Sequence, residues 1–222
     1  MKNRDSIHKL TVLAMLSAVA YLVMVIARIP MLAAGPLVLK YEPKDVIIAI
    51  GGFIYGPLSS AIIAIVVAFI EMVTVSDTGW IGFIMNLISS CTFVCTAAII
   101  YKKNRTIKGA VIGLASGCIS VTVVMLLYNY FLTPIFMGVP REAVAGLLVP
   151  LFLPFNLIKS SINAAAVMII YKPVTDALRK AHLLVESESG NSKRKLNLGV
   201  TLLSVFVIAT CVVLILVLQG RM

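Results

Sequence analysis

Asn156, Lys159 and Asn163 stand at i, i+3 and i+7 in the apolar run Leu151-Phe-Leu-Pro-Phe-Asn-Leu-Ile-Lys-Ser-Ser-Ile-Asn163. On a helix they project from one face as an amide, an ammonium and a second amide. An ammonium at the centre of a bilayer costs about 2.5–3.5 kcal/mol on insertion scales, so this face must turn to protein, to a watery cavity or to a ligand. It reads as the floor of a binding site. Glu71, Asn86, Ser90 and Asn129 are further polar residues inside apolar runs. Taken singly, each is an interhelical hydrogen bond worth about 0.6 kcal/mol; taken with Lys159 they mark a site. Glu71 is the expected counter-ion of Lys159, because buried charges pair.

Catalytic constellations are thin by comparison. His8 and His182 lie outside the apolar runs, so an intramembrane Ser/His or His-metal centre has no histidine to use. The chain contains no G-x-x-x-x-G-K-[ST] phosphate loop, so ATP-driven work must come from another chain. Cys91, Cys95, Cys118 and Cys211 all fall in apolar runs and read as small core residues, neither disulfides nor a metal site.

The elements that must position these residues are membrane helices. Sixty per cent of the 222 residues are hydrophobic, 13% are charged and the mean hydropathy is +1.05. A soluble domain is about 25% charged. The apolar runs predict an all-α integral membrane protein of seven spans, at residues 10–27, 45–55, 58–75, 81–101, 109–131, 148–171 and 198–218. The second is short of the ~20 residues that a ~30 Å hydrocarbon core requires, and crosses only by tilting, by borrowing flanks or where the protein thins the membrane. The runs are long and unbroken and show no period-2 alternation, which disfavours a β-barrel. The amino end resembles a secretory signal, but its apolar run is long for one and a retained first span fits the charges better.

Thirteen basic residues fall on one side: Lys2, Arg4, Lys9, Lys102, Lys103, Arg105, Lys108, Lys172, Arg179, Lys180, Lys193, Arg194 and Lys195. By the positive-inside rule that side is cytoplasmic in a plasma membrane, with the amino terminus inside and the carboxyl terminus, at Arg221-Met222, outside. The net charge of +10 is then topology plus attraction to anionic lipid, not a nucleic-acid footprint.

Between the first two spans, residues 28–44 are apolar up to Leu39 and polar afterwards; the segment is too proline-interrupted to cross and is expected to fold over the outer mouth as a lid. Residues 132–143, with two prolines and the pair Arg141-Glu142, are expected to form a second outer loop. Gly109, Gly113 and Gly117 form a G-x-x-x-G-x-x-x-G stripe that predicts close packing between helices. Ala14 and Ala18 form a shorter stripe for which spacing alone leaves internal packing and a partner interface equally open.

Five stretches, in order, carry a resemblance to a known family: Leu39-Lys-Tyr-Glu-Pro-Lys-Asp45, Gly51-Gly-Phe-Ile-Tyr-Gly-Pro57, Thr78-Gly-Trp-Ile-Gly-Phe-Ile-Met-Asn86, Met137-Gly-Val-Pro-Arg-Glu-Ala-Val144 and Leu153-Pro-Phe-Asn-Leu-Ile-Lys159. Over residues 10–178 the chain resembles the substrate-binding S components of energy-coupling factor transporters, most closely their riboflavin-binding type. The resemblance implies a six-helix bundle that captures riboflavin outside, binds no cofactor, and docks on a transmembrane energising subunit that carries two ATP-binding subunits. It implies toppling in the membrane to release the vitamin, and a docking role for Ala14 and Ala18. It places Leu39, Lys40, Tyr41, Thr78, Gly79, Asn129, Asn156 and Lys159 at the flavin, and Asn86 and Asn163 share the polar faces that line such a pocket. An S component for a thiamin- or pyridoxine-type vitamin is the alternative.

One departure is evident. Residues 1–178 form the six-helix unit, 179–197 a polar linker, and 198–222 an additional transmembrane helix that the family does not call for.

Overall fold

The computed structural model describes residues 2–34, 37–76, 78–181 and 198–219. The elements run α1 (Lys2–Ile26), β1 (Ile29–Ala34), β2 (Leu37–Tyr41), α2 (Lys44–Tyr55), α3 (Pro57–Thr74), α4 (Gly79–Lys103), α5 (Ile107–Met137), α6 (Arg141–Leu147), a π-helical turn (Leu148–Phe152), α7 (Leu153–Lys180) and α8 (Leu198–Leu218). Most of the expected linker, with His182, and the terminal Arg221-Met222 lie outside the described residues.

Among the described residues, six helical stretches are long and apolar enough to span a bilayer: α1, α3, α4, α5, the continuous α6–α7 stretch and α8. The short second span is α2. Its 12 residues reach about 18 Å at 1.5 Å per residue, well under a hydrocarbon core. Every residue from Lys44 to Phe53 is buried, so α2 meets protein instead of lipid. It packs on α1, α3, α4 and α7. A short helix is tolerated there because protein, and not lipid, surrounds it.

One expectation is corrected. Residues 132–143 are not a loop: α5 continues through Pro134 to Met137, and α6 begins at Arg141. Arg141 lies over the rings of Tyr130 and Phe131, at 5.5 and 5.8 Å, which holds the joint where the sequence suggested only a charge pair at the interface. The segment before α2 forms an antiparallel hairpin, pairing Ile29 with Tyr41 and Leu32 with Leu39 across an irregularity between Pro30 and Leu32. Pro30 has no N–H to give to a ladder, which is why a bulge falls there.

The apolar core is shared by α1, α2, α3, α4, α5 and α7, with α2 enclosed by the others, and within it α4 and α5 approach closely. A Cβ on Gly113 would stand 2.7 Å from the Ala97 carbonyl oxygen, and one on Gly117 2.7 Å from that of Phe93. Both distances are below any real Cβ contact, so the stripe serves internal packing, as its spacing suggests. Leucine at Gly113 should therefore lower stability by about 1–3 kcal/mol through overpacking, read as a fall in thermal midpoint in detergent. Leucine at Gly146, where a Cβ meets nothing within 4 Å, should leave the midpoint unchanged.

Candidate functional site

Four charges meet at the neck of the hairpin. Arg28 precedes β1, Glu42 follows β2, Lys44 opens α2 and Glu71 sits on α3. Arg28 Nε lies 2.9 Å from Glu42 Oε1, and its Nη2 3.8 Å from Glu71 Oε1. Lys44 Nζ donates to Glu42 Oε2 at 2.7 Å and also to Glu71 Oε2. Asn86 Nδ2 donates to Glu71 Oε1 at 2.9 Å. Glu42, Lys44 and Glu71 are 4%, 1% and 1% exposed, so none could hold its charge there without the others. Burial pushes the Glu42 carboxyl upward, but Lys44, Lys159 and Arg28 outweigh it and hold the group at about 2.

This corrects the expected pairing of Glu71 with Lys159. Glu71 is taken by Lys44, Arg28 and Asn86, and no described carboxylate lies within ion-pair distance of Lys159. It also corrects the reading of Lys40 to Asp45 as a polar outer stretch, since Glu42, Lys44 and Asp45 are all buried.

A second network lies against the first. The Tyr41 hydroxyl donates to Asn163 Oδ1 at 2.8 Å, Asn163 Nδ2 donates to Asp45 Oδ2 at 3.4 Å, and Ser90 Oγ donates to Asp45 Oδ1 at 2.5 Å. Burial, and then the Asp45 charge, push the Tyr41 phenol upward, which keeps it protonated as a donor.

Between the hairpin and helices α3, α4, α5 and α7 lies a cavity. Leu39, Met85, Met125, Phe136, Phe152 and Phe155 give it apolar walls. Lys40, Thr78, Asn86, Asn129, Asn156 and Lys159 supply polar points around them. Asn156 and Asn129 are both buried, and each donates one N–H to a carbonyl one turn back, at Phe152 and Met125, both at 2.7 Å. Thr133 Oγ1 also donates to Asn129 Oδ1, at 2.9 Å. Each amide is thereby held in one rotamer with its second N–H unspent in these bonds. Pro150 lies within the π-helical turn and Pro154 in the first turn of α7, and this joint sets Asn156 and Lys159 on the cavity side. The chemistry available is recognition: apolar surface for a flat ligand, with donors and acceptors fixed at its edge.

Of the residues singled out by sequence, Leu39, Lys40, Thr78, Asn86, Asn129, Asn156 and Lys159 line this cavity. Tyr41, Gly79 and Asn163 do not. Tyr41 and Asn163 are spent on each other. Gly79 has φ +54° and turns the chain into α4, a conformation that suits glycine. Arg28 and Glu42 line the cavity without having been singled out as site residues. Ala14 and Ala18 are exposed on α1, on the face away from buried Val12, Leu16 and Ala20.

Lys44→Met should cost about 3–5 kcal/mol, because two buried carboxylates lose their shared cation; a melting curve in detergent would show it. The pH behaviour has a definite sign. A carboxyl lowered from 4.5 to about 2 contributes stability that is fully present above its ordinary range and is lost as pH falls through about 2. Glu42 should therefore add no pH dependence to the thermal midpoint between pH 7 and pH 5, and Glu42→Gln should remove only stability that the native chain loses in strong acid.

Comparison with known proteins places these features. The family model described as ECF transporter, substrate-specific component matches residues 8–171. The Riboflavin transporter FmnP of Bacillus subtilis is 28% identical over 189 residues, covering 80% of this chain and 98% of that protein. The Riboflavin transporter RibU of Streptococcus thermophilus is 30% identical over 183 residues, covering 78% of this chain and 85% of that protein. A solved structure of the S component of a bacterial ECF transporter superposes with a TM-score of 0.64 at 27% identity, over 81% of this chain and 99% of that one.

Proposed function

This chain belongs to the substrate-specific components of ECF transporters, and on that footing we propose that its cavity binds riboflavin for uptake into the cell. The observation that carries the reading is the pairing of an apolar slot with rotamer-fixed Asn156 and neighbouring Lys159 at one wall. The vitamin is a flat apolar ring system whose pyrimidine edge alternates carbonyl acceptors with an N–H donor. An amide answers both kinds of group, and an ammonium donates to a carbonyl or a ring nitrogen. Leu39, Met85, Phe152 and Phe155 would flank the rings, while Asn129 and Thr78 suit the ribityl hydroxyls.

The protein is a transporter component and not an enzyme: members of this family bind a vitamin in the membrane and associate with a transmembrane subunit and ATP-binding subunits. Residues 1–178 form the binding unit in this reading, with the hairpin end outside and the basic end, including Lys102 and Lys103, inside. Exposed Ala14 and Ala18 form the face of α1 that meets the energising subunit. Small side chains there allow two helices to approach closely.

Riboflavin fluorescence titrated with the purified chain tests the site. Lys159→Ala and Asn156→Ala should each weaken binding about 10- to 100-fold, the range expected when a buried or charge-assisted hydrogen bond is lost. Unchanged affinity in both removes these residues from the site. Replacing Ala14 and Ala18 together by tryptophan should abolish ATP-dependent uptake in reconstituted vesicles while leaving the fluorescence titration intact. Loss of both would show that the stripe supports the bundle itself.

A further inference from the structure

The family match ends at residue 171, and α8 lies beyond it. Its contacts are specific. Ser204, Val207, Cys211 and Ile215 lie on one stripe at i, i+3, i+7 and i+11, and all four are buried or half-buried while most of the helix faces outward. The stripe packs on α7 and reaches β1. Cys211, Val207 and Ile215 share an apolar cluster with Met31 and Leu32 of the hairpin and with Phe155 and Ile158 of α7.

At its end the helix makes one polar contact with the hairpin. Met31 falls at the bulge and has no opposing residue in the hairpin register. A bulge leaves a backbone group that its own ladder does not satisfy, and such a group is costly if left unmet in an apolar setting. Gln219 Nε2 donates to the Met31 carbonyl oxygen at 2.8 Å. The hairpin is thus held at its neck by the four-charge cluster and along its flank by α8. Leu39 and Phe155 belong both to the cluster that α8 packs on and to the cavity wall.

We propose that α8 is a strap that holds the hairpin over the cavity, with Gln219 as a positioning residue that slows release of the bound ligand. The inference rests on the riboflavin reading only for the identity of that ligand. Opening the hairpin to solvent requires the Gln219 bond to break and the Met31–Leu32 face to slide off Val207 and Cys211. Entry and release of the ligand both pass through that opening, so the strap slows release and, because it also closes the ligand-free chain, entry as well.

Full-length Gln219→Ala and Gln219→Lys are the test, since Lys restores a donor at that end of the helix. In the ligand-free chain, amide exchange at residues 38–41 should be about fivefold faster in Gln219→Ala, the factor for one lost hydrogen bond, with exchange along α4 unchanged. Riboflavin should leave Gln219→Ala about fivefold faster and also enter it faster, and Gln219→Lys should return the exchange and release rates toward the native ones. Unchanged hairpin exchange in Gln219→Ala overturns the strap. Faster exchange with unchanged release overturns the role in ligand retention. A native chain that binds no riboflavin contradicts the functional reading instead, and leaves the exchange comparison standing.

Discussion

The architecture depends on a group of charges that cannot be solvated by the medium around them. Arg28, Glu42, Lys44 and Glu71 carry two positive and two negative charges, sum to zero and share partners across both pairs. An uncompensated ion at this depth costs several kcal/mol, so the cluster forms as a unit or not at all. Because its members come from both ends of the hairpin, from the start of α2 and from α3, forming it fixes the hairpin against the bundle. A cavity wall follows from that constraint. The apolar hairpin would otherwise have no reason to stand beside the polar points of α4, α5 and α7.

The second network extends the same logic one layer deeper. Asn163 lies four residues beyond Lys159, about 6 Å further along the helix axis, and at that depth it meets Tyr41 and Asp45 rather than the cavity. Tyr41 follows directly on Lys40, yet the two serve different partners. Lys40 lines the cavity while Tyr41 locks the base of the strand to α7. Ligand recognition and scaffold rigidity use adjacent residues for different purposes. A binding protein that must retain a scarce, largely neutral ligand gains from that arrangement, because pre-ordered walls reduce the entropy lost on binding.

Much of this was legible in the residues. Apolar runs located the membrane helices, the glycine stripe marked a close internal helix contact, which is made with α4, and the amide–ammonium face of α7 located one wall of the cavity. Three features were not legible, each for a physical reason. The stretch Lys40 to Asp45 reads as solvated because sequence shows charges and not their partners, which lie at Arg28 and Glu71. Pro134 reads as a breaker, yet α5 runs through it and packs its far end against the cavity. The strands are five and six residues long with a proline in one, too short and irregular for period-2 alternation to stand out. The shared spacing of Asn156, Lys159 and Asn163 also concealed depth, which separates a ligand-facing residue from a structural one.

The most direct measurement is the absorption spectrum of the chain purified in detergent from a flavin-producing host, together with the mass of any ligand released on denaturation. The account predicts flavin bands, a released mass matching riboflavin and close to one vitamin per chain. A colourless protein that also fails to quench added riboflavin fluorescence would contradict it, and the cavity between the hairpin and α7 would then belong to a different vitamin.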